Sequence, residues 1–181
     1  EGSTALNLAA FEGDVECVGL LIAAKAELDA LDRSSHTALI VAAANGHADC
    51  VQLLFNAKAG LDFRNYEGNT ALILAALNNH FECVQLLVAA KADVNITGDK
   101  GSTALISAAR RDDAASVHLL IAARANLEAK SNNGRTALMW AANEGNTAHL
   151  QLLVNASATL DAVDNNGNTA LMLAANSGNR A

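Results

Sequence analysis

The tripeptide Thr-Ala-Leu occurs six times, beginning at Thr4, Thr37, Thr70, Thr103, Thr136 and Thr169, and every copy follows the last by 33 residues. An interval of this length, held without slip, means one supersecondary unit repeated end to end. A unit this small cannot bury its apolar face alone and must lay it against its neighbours. The chain of 181 residues is therefore expected to form a stack of about five and a half units rather than a globule with one centre.

Each copy reads as two helices and a turn. Thr37-Ala-Leu-Ile-Val-Ala-Ala43 places Leu39 and the alanine pair on one side of a short helix, with Thr37 as its N-cap. Nine residues after the Thr stand Gly13, Gly46, Gly145 and Gly178, with Asn79 and Asp112 in the other two copies. All are residues that tolerate the left-handed backbone that ends a helix and reverses the chain. A second helix follows, as in His47–Leu54, where Cys50, Val51, Leu53 and Leu54 recur at helical spacing. The connection then carries Asp29, Asp62, Asn95 or Asp161 and a polar turn such as Asn132-Asn-Gly134, which predicts a hairpin-like finger.

These residues resemble the ankyrin repeat. Its pattern of a Gly turn, Thr-Pro-Leu-His, Ala-Ala, Gly-His, Val-x-Leu-Leu and Ala-Asp-Val-Asn is met by Gly68-Asn-Thr-Ala-Leu72, Ala75-Ala76, His80, Val84-Gln-Leu-Leu87 and Ala92-Asp-Val-Asn95. The resemblance covers the whole chain. It implies an all-α solenoid of stacked antiparallel helix pairs with projecting fingers, in a single array over residues 1–181. The array divides into a partial repeat 1–31, full repeats 32–64, 65–97, 98–130 and 131–163, and a partial repeat 164–181. Read this way, the chain starts inside a turn at Glu1 and stops at Ala181 before a last second helix.

Three departures from the family pattern stand out. Proline is absent, so Ala follows each Thr where Pro would pre-set the backbone angle. The family's His after Leu is replaced by Asn7, Ile40, Ile73, Ile106, Met139 and Met172, which exchanges polar stitching for apolar packing. The Gly expected after the second helix is Lys25, Lys58, Lys91, Arg124 or Ser157. The cations among these are read as helix C-terminal charges favoured by the macrodipole rather than as a basic binding stripe.

The net charge of −7 argues against a nucleic-acid partner, whose phosphates need clustered Lys and Arg. No apolar run approaches the roughly 20 residues of a membrane span, so no membrane partner is expected. Cys17, Cys50 and Cys83 occupy one slot in three successive repeats. Equivalent positions in stacked helices lie ~8–10 Å apart, beyond the ~7 Å that a disulfide allows. They are expected to be reduced, buried and structural, which leans toward a reducing intracellular compartment; localisation is otherwise unreadable.

A catalytic site would break the repeat at one locus, and no such break is found. His47 and His80 are expected to make local hydrogen bonds at the start of the second helix, and Arg110-Arg-Asp-Asp113 reads as a solvated cluster. No phosphate loop, dinucleotide fingerprint or zinc spacing occurs. The chain is read as non-enzymatic, with no catalytic, cofactor-binding or metal-ligating residues.

The resemblance implies instead a protein partner held by the finger tips and the concave side of the first helices. The positions that vary between copies while the frame stays constant are free of packing duty. In the fingers these include Arg33, His36, Tyr66, Asn69, Asp99, Lys100, Ser102 and Arg135. In the first helices they include Phe11, Arg110, Arg111, Trp140, Asn143 and Glu144. Phe11, Tyr66, Trp140 and the arginines are the expected anchors, since aromatic and Arg side chains dominate binding energy. The variable positions carry five cations (Arg33, Lys100, Arg110, Arg111 and Arg135) against four anions (Glu12, Glu67, Asp99 and Glu144), whereas the whole chain is −7. The groove is thus the least acidic surface and suits a partner with acidic or mixed polar groups, which the array would inhibit, adapt or tether. The alternatives are a structural or self-associating segment of a longer array, monomeric or weakly associated end to end, and an accessory domain of an enzyme whose catalytic region lies elsewhere.

Overall fold

The computed structural model describes residues 3–178; the outermost residues of the two terminal partial repeats, Glu1 and Ala181 among them, lie outside the described part. The chain divides into two compact units, Glu1–Asp93 and Val94–Ala181. The first holds α1 (Ala5–Glu12), α2 (Val15–Ala23), α3 (Ala38–Asn45), α4 (Ala48–Asn56), α5 (Ala71–Leu77) and α6 (Phe81–Ala89). The second holds a 3-10 turn at Asp99–Gly101, α7 (Ala104–Ala109), α8 (Ala114–Ala122), α9 (Ala137–Glu144), α10 (Thr147–Asn155) and α11 (Ala170–Asn176). No strand occurs among the described residues. The protein is an all-α repeat solenoid of antiparallel helix pairs.

Every first helix begins at its Thr. The hydroxyl oxygens of Thr4, Thr37, Thr70, Thr103, Thr136 and Thr169 each accept the backbone N–H three residues on, with the cap in extended backbone. Such caps contribute ~1 kcal/mol each. The helices end where the spacing predicts in five copies: Gly13, Gly46, Asn79, Gly145 and Gly178 are all left-handed. The fourth copy differs. Asp112 is not left-handed; α7 stops at Ala109, and Asp113 then caps α8 by accepting the Ser116 N–H at 3.0 Å. The cap alone does not explain the difference, since Asp14 caps α2 in the same way while Gly13 before it is left-handed.

In the first unit α3 packs between α1 and α5 and α4 between α2 and α6; in the second α9 packs between α7 and α11, and α8 against α10. The contact faces are small residues flanked by large ones. In α3, Ala38, Leu39, Ile40, Ala42 and Ala43 are all buried, the alanines letting neighbouring helices approach while each buried Leu or Ile contributes ~1.5–3 kcal/mol. Of the six residues at the family's His position, Ile40, Ile73, Ile106 and Met139 are buried as apolar packing requires, whereas Met172 is exposed and Asn7 keeps a polar bond across repeats, donating to the His36 carbonyl at 2.9 Å.

Polar ladders run beside this core. Asp29 accepts the Gly60 N–H (2.9 Å), Asp62 that of Asp93 (3.0 Å), Asn95 that of Asn126 (2.8 Å) and Glu128 that of Thr159 (2.8 Å). One side chain per repeat thereby satisfies a backbone donor in the next. His47 and His80 likewise bridge repeats instead of bonding locally as expected. Their Nε2 atoms meet the Phe11 and Ala44 carbonyls at 3.0 and 3.1 Å. In the same slot Asn146 donates to the Arg111 carbonyl at 3.1 Å.

Two expectations about the second helices need revision. Cys50 and Cys83 are buried, but Cys17 is exposed, because α2 has a neighbour on one side only within its unit. The positions Lys25, Lys58, Lys91, Arg124 and Ser157 are more than helix-end charges: all five are left-handed, with φ of 61–73°. Each lies one residue beyond the C-cap and adopts the conformation that the family's glycine would.

Candidate partner-binding site

The fingers are tight turns organised by their first residue. In the first unit Asp32 Oδ1 accepts the N–H groups of Ser34 and His36, both at 2.8 Å, and Asn65 Oδ1 accepts those of Glu67 and Asn69 at 3.1 and 2.9 Å. Because those bonds fix which way the Asn65 amide points, its Nδ2 donates to His36 Nε2 at 3.2 Å. That makes the neutral Nδ1–H tautomer of His36 the one compatible with the network, with Nδ1 3.3 Å from Asp32 Oδ2. Burial alone would raise the Asp32 carboxyl, but the His36 and Ser34 N–H groups and the His36 ring outweigh it and hold it below the usual carboxylate range.

In the second unit Asp164 plays the same part, while Ser131 closes its finger by donating its hydroxyl to the Arg135 carbonyl at 3.0 Å. Asp164 Oδ1 accepts from the Asn166 and Asn168 N–H groups, each at 2.9 Å. Burial again pulls the carboxyl up, and the Asn168 and Asn166 N–H groups, the Asn168 amide and Arg135 hold it lowered overall. Ser131 Oγ donates to Asn133 Oδ1 (2.6 Å) and accepts from the indole Nε1–H of Trp140 (3.3 Å). The finger holding Ser131 is joined to its neighbours by backbone bonds from Asn132 N to Lys100 O (2.7 Å) and from Asn165 N to Asn133 O (3.1 Å).

Trp140 is the centre of the most organised cluster. The guanidinium carbons of Arg110 and Arg135 lie over its ring, 4.4 and 4.9 Å from the centroid, a spacing at which the cation meets the negative face of the indole. Arg135 is further tied down: Nε lies 3.4 Å from Asp164 Oδ2 and Nη1 donates to Asn143 Oδ1 at 3.3 Å. With a side chain 19 % exposed beside an Asp164 carboxylate 1 % exposed, its charge is largely matched. Arg110 sits at the end of α7, exposed, with no ion pair among the described residues. Lys100, projecting from the 3-10 turn, has an exposed pair with Asp99 at 3.5 Å, worth little in water. Arg110, Trp140, Lys100, Ser102, Ser131, Asn132 and Asn133 together line a cleft of about 370 Å³.

Of the side chains expected to contact a partner, the second unit therefore brings Lys100, Ser102, Arg110, Arg135, Trp140 and Asn143 to one place, with Asp99 at its rim. Arg111 and Glu144 are exposed nearby in sequence without lining the cleft. In the first unit Phe11 and Tyr66 are exposed (55 % and 79 %), as is Arg33, while His36 is half-buried. Asn69 departs from its expected role. It is buried, its Nδ2 donates to Glu67 Oε2 at 3.0 Å, and its N–H belongs to the Asn65 turn, so it is a finger scaffold. Ser131 and Asp164 escaped sequence reasoning. Their signal was available: they share a repeat position with Asp32 and Asn65, whose side chains close the finger turn.

Nothing among the described residues gathers three or more His, Cys, Asp or Glu side chains as a metal site would. No described helix is long and apolar enough to cross a membrane. The family model for ankyrin repeats matches the chain in three copies, over residues 1–65, 57–131 and 105–181. The protein belongs to the ankyrin repeat family, whose members are generally protein–protein interaction modules and typically non-catalytic. A comparison with curated proteins found no match.

Proposed function

We propose that this chain is a non-enzymatic binding module that docks a protein partner on its finger tips and first helices, as an inhibitor, adaptor or tether, with residues 1–181 read as one array in the repeat boundaries given above. The observation that carries the reading is the convergence of Trp140, Arg110 and Lys100 on one cleft, with Arg135 over the Trp140 ring, in a chain whose net charge is −7. Large rigid side chains with little entropy to lose are what binding hot spots use. Phe11, Arg33 and Tyr66 offer further exposed contacts in the first unit. Affinity capture with the array beside a variant carrying Trp140→Ala, Arg110→Ala and Arg111→Ala tests this. Loss of a partner from the variant supports the site, and equal recovery of every partner defeats it.

A second reading, self-association, is favoured by two apolar faces. Leu8 and Leu20 are 56 % and 64 % exposed on α1 and α2, and Leu171 and Met172 are 71 % and 52 % exposed on α11. Exposed apolar surface of this kind drives association. A sedimentation coefficient that rises with concentration, and stops doing so in Leu171→Lys, is its signature; a concentration-independent value removes it.

A further inference from the structure

We infer that the cleft beside Trp140 is a receptor for a single acidic side chain, a glutamate or aspartate in an extended segment of the partner, with Arg110 as its specificity-determining residue. The inference rests on the binding-module reading above and specifies what the partner must present.

Charge matching selects this occupant. Three cations approach the cleft, but the buried Asp164 carboxylate matches Arg135, and Asp99 offsets one more positive charge in the formal sum even though its exposed pair with Lys100 is worth little by itself. That leaves Arg110 as the lining cation with no acidic partner among the described residues. With Lys100 and Arg110 against Asp99, the lining and its rim carry a formal charge of +1, which one carboxylate offsets; a phosphorylated side chain brings nearly two negative charges and would leave the excess uncompensated. Geometry agrees. The Arg110 guanidinium carbon lies 4.4 Å from the Trp140 centroid while the residue stays exposed, and a guanidinium edge pairs with a carboxylate through two parallel hydrogen bonds. Contact with the indole restrains the side chain before the partner arrives, so less rotamer freedom is lost on binding. The opening of about 370 Å³ beside Trp140 admits one side chain with its adjoining backbone.

The test is selection of random 12-residue peptides displayed on phage against the immobilised full chain, followed by titration of the synthesised peptides. Trp140 is the single tryptophan, so in titrations with peptides free of tryptophan its fluorescence reports on this cleft. The expected result is a family of peptides with Glu or Asp at one invariant position that change Trp140 emission. Glu→Gln at that position should weaken binding ~10-fold or more, and Arg110→Gln should abolish the acidic preference while other peptide positions are still selected. A phosphoserine substituted for the Glu should bind more weakly. Bound peptides with no invariant acidic position, a Glu→Gln change without effect, or a tighter phosphoserine peptide would each overturn the inference and leave the binding-module reading standing. Failure to select any peptide that binds the chain would count against both. Because the Glu→Gln comparison is made on the peptide, it holds even if the Arg110 variant folds poorly.

Discussion

A lysine is an uncomfortable occupant of the left-handed region, where its Cβ crowds the following carbonyl at a cost of ~1 kcal/mol or more. Lys58 and Lys91 are nonetheless held there, exposed, at φ of 73° and 71°. Glycine relieves that crowding but frees the unfolded chain, which gives part of the gain back. Lys58→Gly and Lys91→Gly should each raise stability by ~0.5–1 kcal/mol, seen as a higher urea midpoint at unchanged slope. A lowered midpoint would show that the lysine stem packs in a way its exposure does not suggest.

His149 is the opposite case, a polar residue in an apolar slot. It occupies the repeat position of Cys50, Cys83 and Ser116, is 1 % exposed, and neither ring nitrogen has a hydrogen-bond partner among the described residues. Burial holds its pKa below the ordinary value, more strongly than the Ala109 carbonyl, Asp112 and Asp113 act to raise it. The unfolded chain takes up a proton near the usual ~6.5 while the folded chain does not, so stability is lost as pH falls below that value. Asp14, Asp32 and Asp164, whose carboxyl pKa values are lowered, contribute stability that is lost only at more acid pH, below ~4. Between pH 7 and 5 the melting temperature of the native protein should therefore drop more steeply than that of His149→Ser. Parallel curves would mean the ring finds a partner when protonated.

At the scale of the element, where a helix sits in the stack outweighs its own sequence. The Cys-Val motif is shared by α2, α4 and α6, yet Cys17 is exposed and Cys50 and Cys83 are buried. Burial raises the Cys50 thiol and pushes Cys83 up to about 11, whereas Cys17 is raised by its hydrogen bond to Asp14. A thiol reagent at pH 8 should modify one cysteine in the folded protein, slowly for an exposed thiol because so little is thiolate, and three after denaturation. Peptide mapping should place the first label on Cys17; label on Cys83 in the native state would contradict the packing of α4 against α6. The turn elements follow the same logic. Asp32, Asn65, Ser131 and Asp164 close their fingers with a side chain, whereas Gly98 has none, and in that finger the chain forms the 3-10 turn that carries Lys100 toward the cleft.

For the molecule as a whole, stability in a stack accumulates from nearest neighbours. Leu39 in α3 and Leu138 in α9 belong to helices packed on both sides within their units, while Leu173 belongs to α11, whose main neighbour among the described helices is α9. All three are buried, so their side chains lose similar solvent area, and the difference lies in how far the surroundings can collapse into the gap. Leu39→Ala and Leu138→Ala should each cost ~3 kcal/mol or more in denaturant unfolding, and Leu173→Ala distinctly less. Equal losses would imply a stiffer terminal helix than its main neighbour provides.

A period of 33 residues with capping threonines and reversing glycines was enough to read the helix pairs, their ends and their family, because those features depend on bonds within one repeat. What neighbours across the stack decide was hidden: that Cys17 is exposed, that Asn69 is buried, that His47 and His80 reach the preceding repeat. The same holds for the candidate site. Variability along the chain marked Arg110, Arg135 and Trp140 together, but only the folded arrangement shows that Asp164 matches Arg135 while Arg110 stays open over the indole. Register assigns a side chain to a face; what that face meets depends on residues some thirty positions away, whose approach is set by packing rather than by local pattern.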